Sequence, residues 1–151
     1  MSGKSSLSFI KQGSAVSFSK IITEGDINTF AELTGDFSPN HMDETYMKNT
    51  AYGQRIAHGA LLVGFMSTAS SMIVEQFASN IPNYTPVSLG YERIRFIKPV
   101  FINDTINVLY TVLETDIEAM RSLSQIEITS QKNELVAIGT HILKWVPNGV
   151  V

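Results

Sequence analysis

Two proton-handling side chains flank a proline in the segment "TGDFSPNHMDE", residues 34–44. Asp36 and His41 lie five positions apart, with Pro39 between them. Carboxylates and imidazoles are the groups that most often transfer protons near neutral pH. Proline fixes its own φ and holds the preceding residue extended, so we expect a stiff, tight loop that turns both side chains to one side. Either residue alone is more often structural, but the pair predicts acid–base chemistry.

A second feature is "IAHGALL", in which Gly59 opens a long apolar stretch. The first turn of a helix has N–H groups without intrahelical partners and carries the positive end of the helix dipole. Such a terminus can stabilise negative charge on a carbonyl oxygen. On its own, Gly59 would more often serve close packing against a strand, and the role of His58 is ambiguous. An acid, a histidine and this glycine together are the groups needed to add water to, or remove it from, a double bond conjugated to a carbonyl.

The helices that must position these residues are well marked. "TEGDINTFAELTGD" begins with Thr23 followed three residues later by Asp26, a start that resembles a capping box, and Gly35 stands where a left-handed C-terminal cap is expected. Between these signals lies one stripe at helical spacing: Ile27, Phe30, Ala31 and Thr34. Asp43 can cap a second short helix, "ETYMKNTAY", that ends by Gly53.

A third, longer helix is predicted from near Gly59 to Phe77, ending in the loop "ASNIPNYTP". Residues 56–74 contain no Asp, Glu, Lys or Arg, and the length of this uncharged stretch is borderline for a membrane span. Frequent polar interruptions and the lack of a second such stretch argue against a membrane. We expect a helix that is apolar on nearly every side and lies in the middle of a core.

From residue 86 onward the hydrophobic period changes to two. "VSLGYERIRFI" alternates with a phase slip near Glu92 and Arg93, which predicts a β-bulge. "TINVLYTVLET", "SLSQIEITS" and "ELVAIGTHILKWV" complete four strands joined by short polar turns. Helices followed by strands predict an α+β fold in which an antiparallel sheet curls around the long helix.

The composition sets further bounds. A chain of 151 residues is the size of one domain, and we expect a single domain over 1–151 with its core at about 14–146. The net charge of −3 and the scattered basic residues give no reason to expect a nucleic-acid or membrane partner. Without cysteine there is no disulfide or thiolate chemistry, and the N-terminal segment "MSGKSSLSFIKQGS" lacks a secretory signal. The expected location is cytoplasmic.

The stretch "FAELTGDFSPNHMDETYMKNTAYGQRIAHGALLVG" resembles the hydratase-2 motif of the MaoC-like dehydratases, the (R)-specific enoyl-CoA hydratases. That motif runs Gly-Asp, one residue, Asn-Pro, one residue, His, one residue, Asp or Glu, and after a gap an apolar residue, His and Gly. "LGYERIRFIKPVFINDTINV" is similar to the strand pair that follows the central helix in these hotdog-fold proteins. The resemblance extends from about Ile21 to Trp145. Ser38 and Asn40 depart from it, since the family usually has Asn and an apolar residue there.

The resemblance implies a single hotdog domain with a helical overhang near the N-terminus. It implies a carbon–oxygen lyase of fatty acid metabolism that interconverts trans-2-enoyl and (3R)-hydroxyacyl thioesters of coenzyme A or acyl carrier protein by syn addition of water. By position, Asp36 and His41 match the catalytic pair, and Gly59 matches the glycine whose amide polarises the thioester carbonyl. The residues assigned to substrate binding are Ser38, Leu62, Met66 and Ser67, and those considered for phosphate contacts are Arg93, Arg95 and Lys98.

Two alternatives remain open from the sequence. A hotdog thioesterase would share the architecture, and a non-catalytic subunit that binds acyl thioesters would explain the substitutions at Ser38 and Asn40. A homodimer is expected, because the family forms dimers and an open sheet edge invites pairing. We expect no bound cofactor beyond the substrate's own carrier. No metal site is expected either, because His41, His58 and His141 are dispersed in the sequence.

Overall fold

Five antiparallel strands form one sheet in the computed structural model, which describes residues 10–149. The strands are β1 (Ala15–Ile21), β2 (Tyr84–Phe96), β3 (Thr105–Asp116), β4 (Arg121–Ser130) and β5 (Leu135–Pro147), in the spatial order β1-β3-β4-β5-β2. The helices are α1 (Glu24–Thr34), α2 (Pro39–Met42), α3 (Glu44–Lys48) and α4 (Gly59–Phe77). The prediction of an α+β fold with an antiparallel sheet and one long helix is confirmed. Most of the N-terminal segment considered for a signal lies outside the described residues.

The predicted caps of α1 are confirmed. The Thr23 hydroxyl accepts a hydrogen bond from the Asp26 N–H at 3.1 Å, and the Asp26 carboxylate accepts one from the Thr23 N–H at 2.8 Å. Gly35 has φ 82°, and its N–H donates to the Ala31 carbonyl at 2.8 Å. The left-handed conformation has little free-energy cost for glycine, so the helix ends here and the chain leaves it at Asp36 in a defined direction.

The connection between Asp36 and His41 differs from the predicted loop. Pro39 opens a four-residue helix, α2, which contains His41. Proline suits the first helical position, because its N–H would lack a partner there and its φ already fits a helix. The second predicted helix is also shorter than expected: Asp43 caps it as predicted, through the Tyr46 N–H at 2.8 Å, but α3 ends at Lys48 rather than near Gly53.

The long helix α4 packs against the sheet as predicted, but it is buried on one face only rather than in the middle of the core. Its buried positions are Leu62, Met66, Ala69, Ser70 and Ile73, which pack into the core between the helix and the sheet. Small residues form the exposed opposite face: Ala60, Gly64, Ser67, Thr68 and Ser71. By length and composition alone, Gly59–Asn80 could cross a membrane, but one helix of this kind is weak evidence because core helices also satisfy this criterion.

The sheet has one more strand than predicted. β1 was not recognised, and it pairs antiparallel with β3 from Ala15↔Thr111 to Ile21↔Thr105. Only Val16 within β1 is buried, so its sequence lacks the strong alternation of the other strands. The predicted irregularity in β2 is confirmed, because its register against β5 shifts between Glu92 and Arg95. A second shift lies between Ser88 and Gly90.

Candidate active site

Asp36 follows directly on the left-handed end of α1, and its carboxylate is accessible to solvent. Its Oδ1 accepts hydrogen bonds from the Ser38 hydroxyl at 2.5 Å and from the Ser38 N–H at 3.2 Å. These bonds, the hydroxyl first, lower the pKa of Asp36 below its ordinary value, so the group is ionised at neutral pH. Ser38, which we had assigned to the substrate, therefore uses its hydroxyl to orient the acid.

His41 lies in α2 with its ring buried beside Asp36. Its Nδ1 is 2.8 Å from the Ile56 carbonyl oxygen. A carbonyl can only accept, so in the neutral ring the proton sits on Nδ1 and the lone pair is on Nε2. The ligand atoms of Asp36, His41 and His58 all lie within 4.8 Å of one another. The predicted convergence of Asp36 and His41 is therefore present, with one ionised acid and one imidazole that can accept a proton.

His58 joins these two groups, a role that the sequence left ambiguous. It is 1% exposed, its Nε2 is 3.0 Å from the backbone carbonyl oxygen of Asp36, and its ring centroid is 3.8 Å from that of His41. The Asp36 carbonyl accepts, so Nε2 carries the proton of His58. Burial lowers the pKa of His58 and favours this neutral form. As the residue before Gly59, His58 contacts or adjoins all three predicted catalytic positions.

Arg55 is a second residue that the sequence analysis missed. Its guanidinium is buried, with Nε donating to the His41 carbonyl at 2.6 Å, Nη1 to Glu24 at 2.6 Å and Nη2 to the Asn28 side chain at 2.8 Å. The fork of donors thus ties α2 to two successive turns of α1. The sequence did contain a signal for this role, because Arg55 directly precedes residues 56–74, which contain no Asp, Glu, Lys or Arg.

Gly59 and His41 line the same cavity. The segment before α4 is held on both sides, with the Ile56 N–H donating to the Asn40 carbonyl at 3.0 Å and the Ala57 N–H to the Val100 carbonyl at 2.8 Å. Gly59 then begins α4, and its amide has no intrahelical partner, while the Leu61 N–H donates to the His58 carbonyl at 3.1 Å. The cavity measures about 350 Å³ and is also lined by Leu62, as predicted for substrate binding.

Four assigned residues do not line this cavity: Asp36 and Ser38, which lie beside His41, and Met66 and Ser67. Met66 is fully buried in the core, and Ser67 lines a separate cavity of about 330 Å³ farther along α4. Among the basic residues considered for phosphate contacts, Lys98 lines the cavity of His41, whereas Arg93 and Arg95 do not. The loop "ASNIPNYTP" that follows α4 also contributes no residue to it.

The trio of Asp36, His41 and His58 could hold a cation, so sequence dispersion was a poor reason to dismiss a metal. Each histidine engages one ring nitrogen with a backbone carbonyl, and the other nitrogen of His58, Nδ1, is buried without a hydrogen-bond partner among the described residues. The absence of a metal or cofactor requirement stays a prediction. His141 lies elsewhere, buried between the Tyr110 hydroxyl and the Ser88 hydroxyl at 2.8 Å each.

Comparison with known proteins places this geometry in a family. A family model described as "MaoC like domain" matches residues 9–136. The (R)-specific enoyl-CoA hydratase of Rhodospirillum rubrum is 35% identical over 103 residues, which cover 68% of this chain and 66% of that protein, just under two thirds of its length. The (R)-specific enoyl-CoA hydratase of Aeromonas caviae is 27% identical over 140 residues, covering 89% of this chain and 95% of that protein.

Solved structures agree on the fold. The (R)-hydratase from A. caviae involved in PHA biosynthesis superposes with a TM-score of 0.75 at 24% identity, covering 89% of this chain and 96% of that one. Such a likeness at this identity shows the hotdog fold alone, while the family model and the R. rubrum hydratase carry the assignment. The resemblance inferred from the motif between Gly35 and Gly59 is therefore confirmed: the chain belongs to the MaoC-like domain family.

Proposed function

We propose that this chain is a hydratase or dehydratase that interconverts trans-2-enoyl thioesters and (3R)-hydroxyacyl thioesters. One observation carries the proposal: the ionised carboxylate of Asp36 and the imidazole of His41 converge beside the cavity that His41 and Gly59 line. The hydratase and dehydratase names of the relatives support the same chemistry. The carrier of the acyl group is coenzyme A or acyl carrier protein, and Lys98 at the cavity offers it a positive charge.

The side chains divide the hydration step between them. The Asp36 carboxylate accepts a hydrogen bond from a water molecule and orients it, while His41 Nε2 accepts its other proton as the oxygen bonds to C3 of the enoyl group. The electron pair of the C2–C3 double bond moves onto the thioester as an enolate. The proton then passes to C2, which restores the carbonyl and leaves a 3-hydroxyacyl thioester. Both groups act from one side of the substrate, so water adds syn.

The start of α4 has the remaining role. Negative charge develops on the thioester oxygen during the enolate stage, and first-turn amides at Gly59 are oriented donors at the positive end of a nineteen-residue helix. Removing one such donor in other enzymes typically costs about 10²- to 10³-fold in kcat. A thioester oxygen directed at Gly59 places C2 and C3 on the His41 side of the same cavity.

Hydration of crotonyl-CoA tests the proposal, followed as loss of the enoyl-thioester absorbance. We expect turnover by the wild type and losses of about 10²- to 10⁴-fold for Asp36→Asn and for His41→Ala. Asp43→Asn is the matched control, because it makes the same chemical change seven residues away and asparagine caps a helix as well as aspartate does.

Three results would contradict the proposal. Wild-type rates in both Asp36→Asn and His41→Ala would show that the pair is not catalytic. Release of free thiol without loss of conjugation would indicate a thioesterase. Thioester binding to a folded wild type without any turnover would indicate a non-catalytic binding subunit.

We further propose that two copies form a homodimer through β2. This strand is at one end of the sheet and pairs only with β5 among the described strands, so its other edge is open. It also exposes Val87 and Leu89, and open, apolar strand edges tend to pair with other strands. Sedimentation should give a dimer for the wild type, and Leu89→Lys should shift the population toward the monomer. A monomeric wild type at micromolar concentration would contradict this.

A further inference from the structure

The cavity of the proposed site is limited by an aromatic ring that the chemistry does not use. Phe96, near the end of β2, lines this cavity together with His41, Gly59 and Leu62. Its ring is 54% exposed, so it is not part of the core and does not serve only to hold the sheet and helix together. Its place beside His41 and Gly59 in the cavity therefore has another cause.

Phe96 is pressed directly onto the first residue of α4. A Cβ atom placed on Gly59 would lie 2.5, 2.7 and 2.8 Å from three carbons of the Phe96 ring, far inside van der Waals contact. Glycine therefore serves two purposes here, because it admits the ring as well as offering a backbone amide. The ring in turn occupies the space beside the first turn of α4.

Farther along α4, Leu62 and Met66 are buried, whereas Ser67 lies on the exposed face of the helix. The cavity that Ser67 lines shares no residue with the cavity of His41. An acyl chain that followed α4 from Gly59 toward Ser67 would thus have to leave the cavity that Phe96 and Leu62 line.

The length of an acyl chain can be compared with distances along the axis of α4. Leu62 is one turn beyond Gly59, about 4.5 Å at 1.5 Å per residue, whereas Ser67 is about 12 Å beyond it. An extended acyl chain advances about 1.3 Å per carbon, given C–C bonds near 1.5 Å. From the thioester carbon, a four-carbon chain ends after about 4 Å, level with Leu62, and an eight-carbon chain after about 9 Å, beyond Leu62, the last residue of α4 that lines the cavity.

We propose that Phe96 sets the acyl-chain specificity of the site and restricts it to short enoyl thioesters of about four to six carbons, as these lengths indicate. The proposal rests on the proposed function. Reducing the side chain at position 96 should open a path along α4 for longer chains. It should leave Asp36, His41 and the amide of Gly59 in place, since none of them hydrogen bonds to the ring.

The ratio of kcat/KM for crotonyl-CoA to that for trans-2-octenoyl-CoA is the decisive measurement. We expect a ratio of at least about tenfold in the wild type, since a single methylene can change kcat/KM by about 10- to 200-fold and several are excluded here. Phe96→Ala should lower the ratio at least about tenfold by raising kcat/KM for the octenoyl substrate. Leu113→Ala, an exposed apolar residue on β3 in neither cavity, is the control and should leave the ratio unchanged.

The dissociation constants of crotonyl-CoA and trans-2-octenoyl-CoA, measured in the Asp36→Asn variant, test size exclusion without turnover. If this background keeps the preference for crotonyl-CoA and Phe96→Ala removes it, the chain-length proposal is supported even if the wild type proves inactive. If the wild type treats both substrates alike, or if Phe96→Ala changes neither ratio by more than about twofold, the proposal is wrong. An inactive wild type would by itself refute only the hydratase assignment.

Discussion

Arg55 offers a quantitative test of how the site is held together. We consider Arg55→Met, which keeps the aliphatic stem and removes the guanidinium. The ion pair with Glu24 contributes little, because the Glu24 side chain is 61% exposed and water screens it. The bonds to the His41 carbonyl and to Asn28 are charge-assisted and largely buried, and such bonds contribute about 1.5–3 kcal/mol each.

The variant should therefore lose at least about 3 kcal/mol in free energy of unfolding, from two bonds at the lower end of that range. For a chain of this size, that loss corresponds to about 6–12 °C in Tm. Urea unfolding at fixed protein concentration measures it, because the midpoint should fall while the m-value stays constant. The activity that remains below the transition should also fall, since the His41 carbonyl loses its anchor.

Two variants calibrate this result. Arg121→Met removes an exposed arginine and should change stability by no more than about 0.5 kcal/mol. Arg55→Lys keeps the charge but cannot form the three-way fork, so an intermediate loss is expected. A loss below about 1 kcal/mol for Arg55→Met would refute the reasoning, because it would mean that water replaces the guanidinium without penalty.

Two further predictions concern buried histidines. His58→Gln keeps an N–H donor for the Asp36 carbonyl and His58→Phe keeps a ring against His41, so each variant loses one contact and should lower kcat by about tenfold. His58→Ala loses both contacts and should lower kcat by about 10²-fold. Equal losses of kcat in all three variants, measured by steady-state kinetics per folded protein, would contradict separate roles for the two contacts. Burial lowers the pKa of His141 from 6.5 to about 4, so between these values the unfolded chain binds more protons and stability falls as the pH drops. At about 1.4 kcal/mol per pH unit, the wild type should lose about 2 kcal/mol between pH 6.5 and 5 through this group. His141→Gln should lack that component in urea unfolding, and an unchanged pH dependence would contradict it.

Local signals in the sequence predicted the helix ends and the reactive pair well. Thr23 with Asp26 and the glycine at 35 act within one helical turn, so their geometry follows from neighbouring residues alone. The convergence of Asp36 with His41 also depends on a short segment. Pro39 was recognised as the stiff element, although it starts a helical turn rather than a loop, which proline at a first helical position equally allows.

What the sequence did not predict depends on distant partners. β1 pairs with β3 about ninety residues away and buries only Val16, so its own pattern carries little information. The surroundings of Met66 depend on β5, because a Cβ atom placed on Gly139 of that strand would lie 3.5 Å from the Met66 sulfur. The contact between His58 and the Asp36 carbonyl spans 22 residues and requires both helix termini to meet.

β1, at the opposite edge of the sheet from β2, keeps β3 from pairing with strands of other copies of the chain. β1 occupies the hydrogen-bonding groups of β3 from Thr105 to Thr111, and it presents serines and Lys20 outward instead of a long apolar border. A chain that lacked residues 1–21 would keep every proposed reactive group yet uncover the edge of β3 from Thr105 to Thr111. Such a border templates strands from other copies, so this truncation should produce fibrous or amorphous aggregates rather than a weaker enzyme.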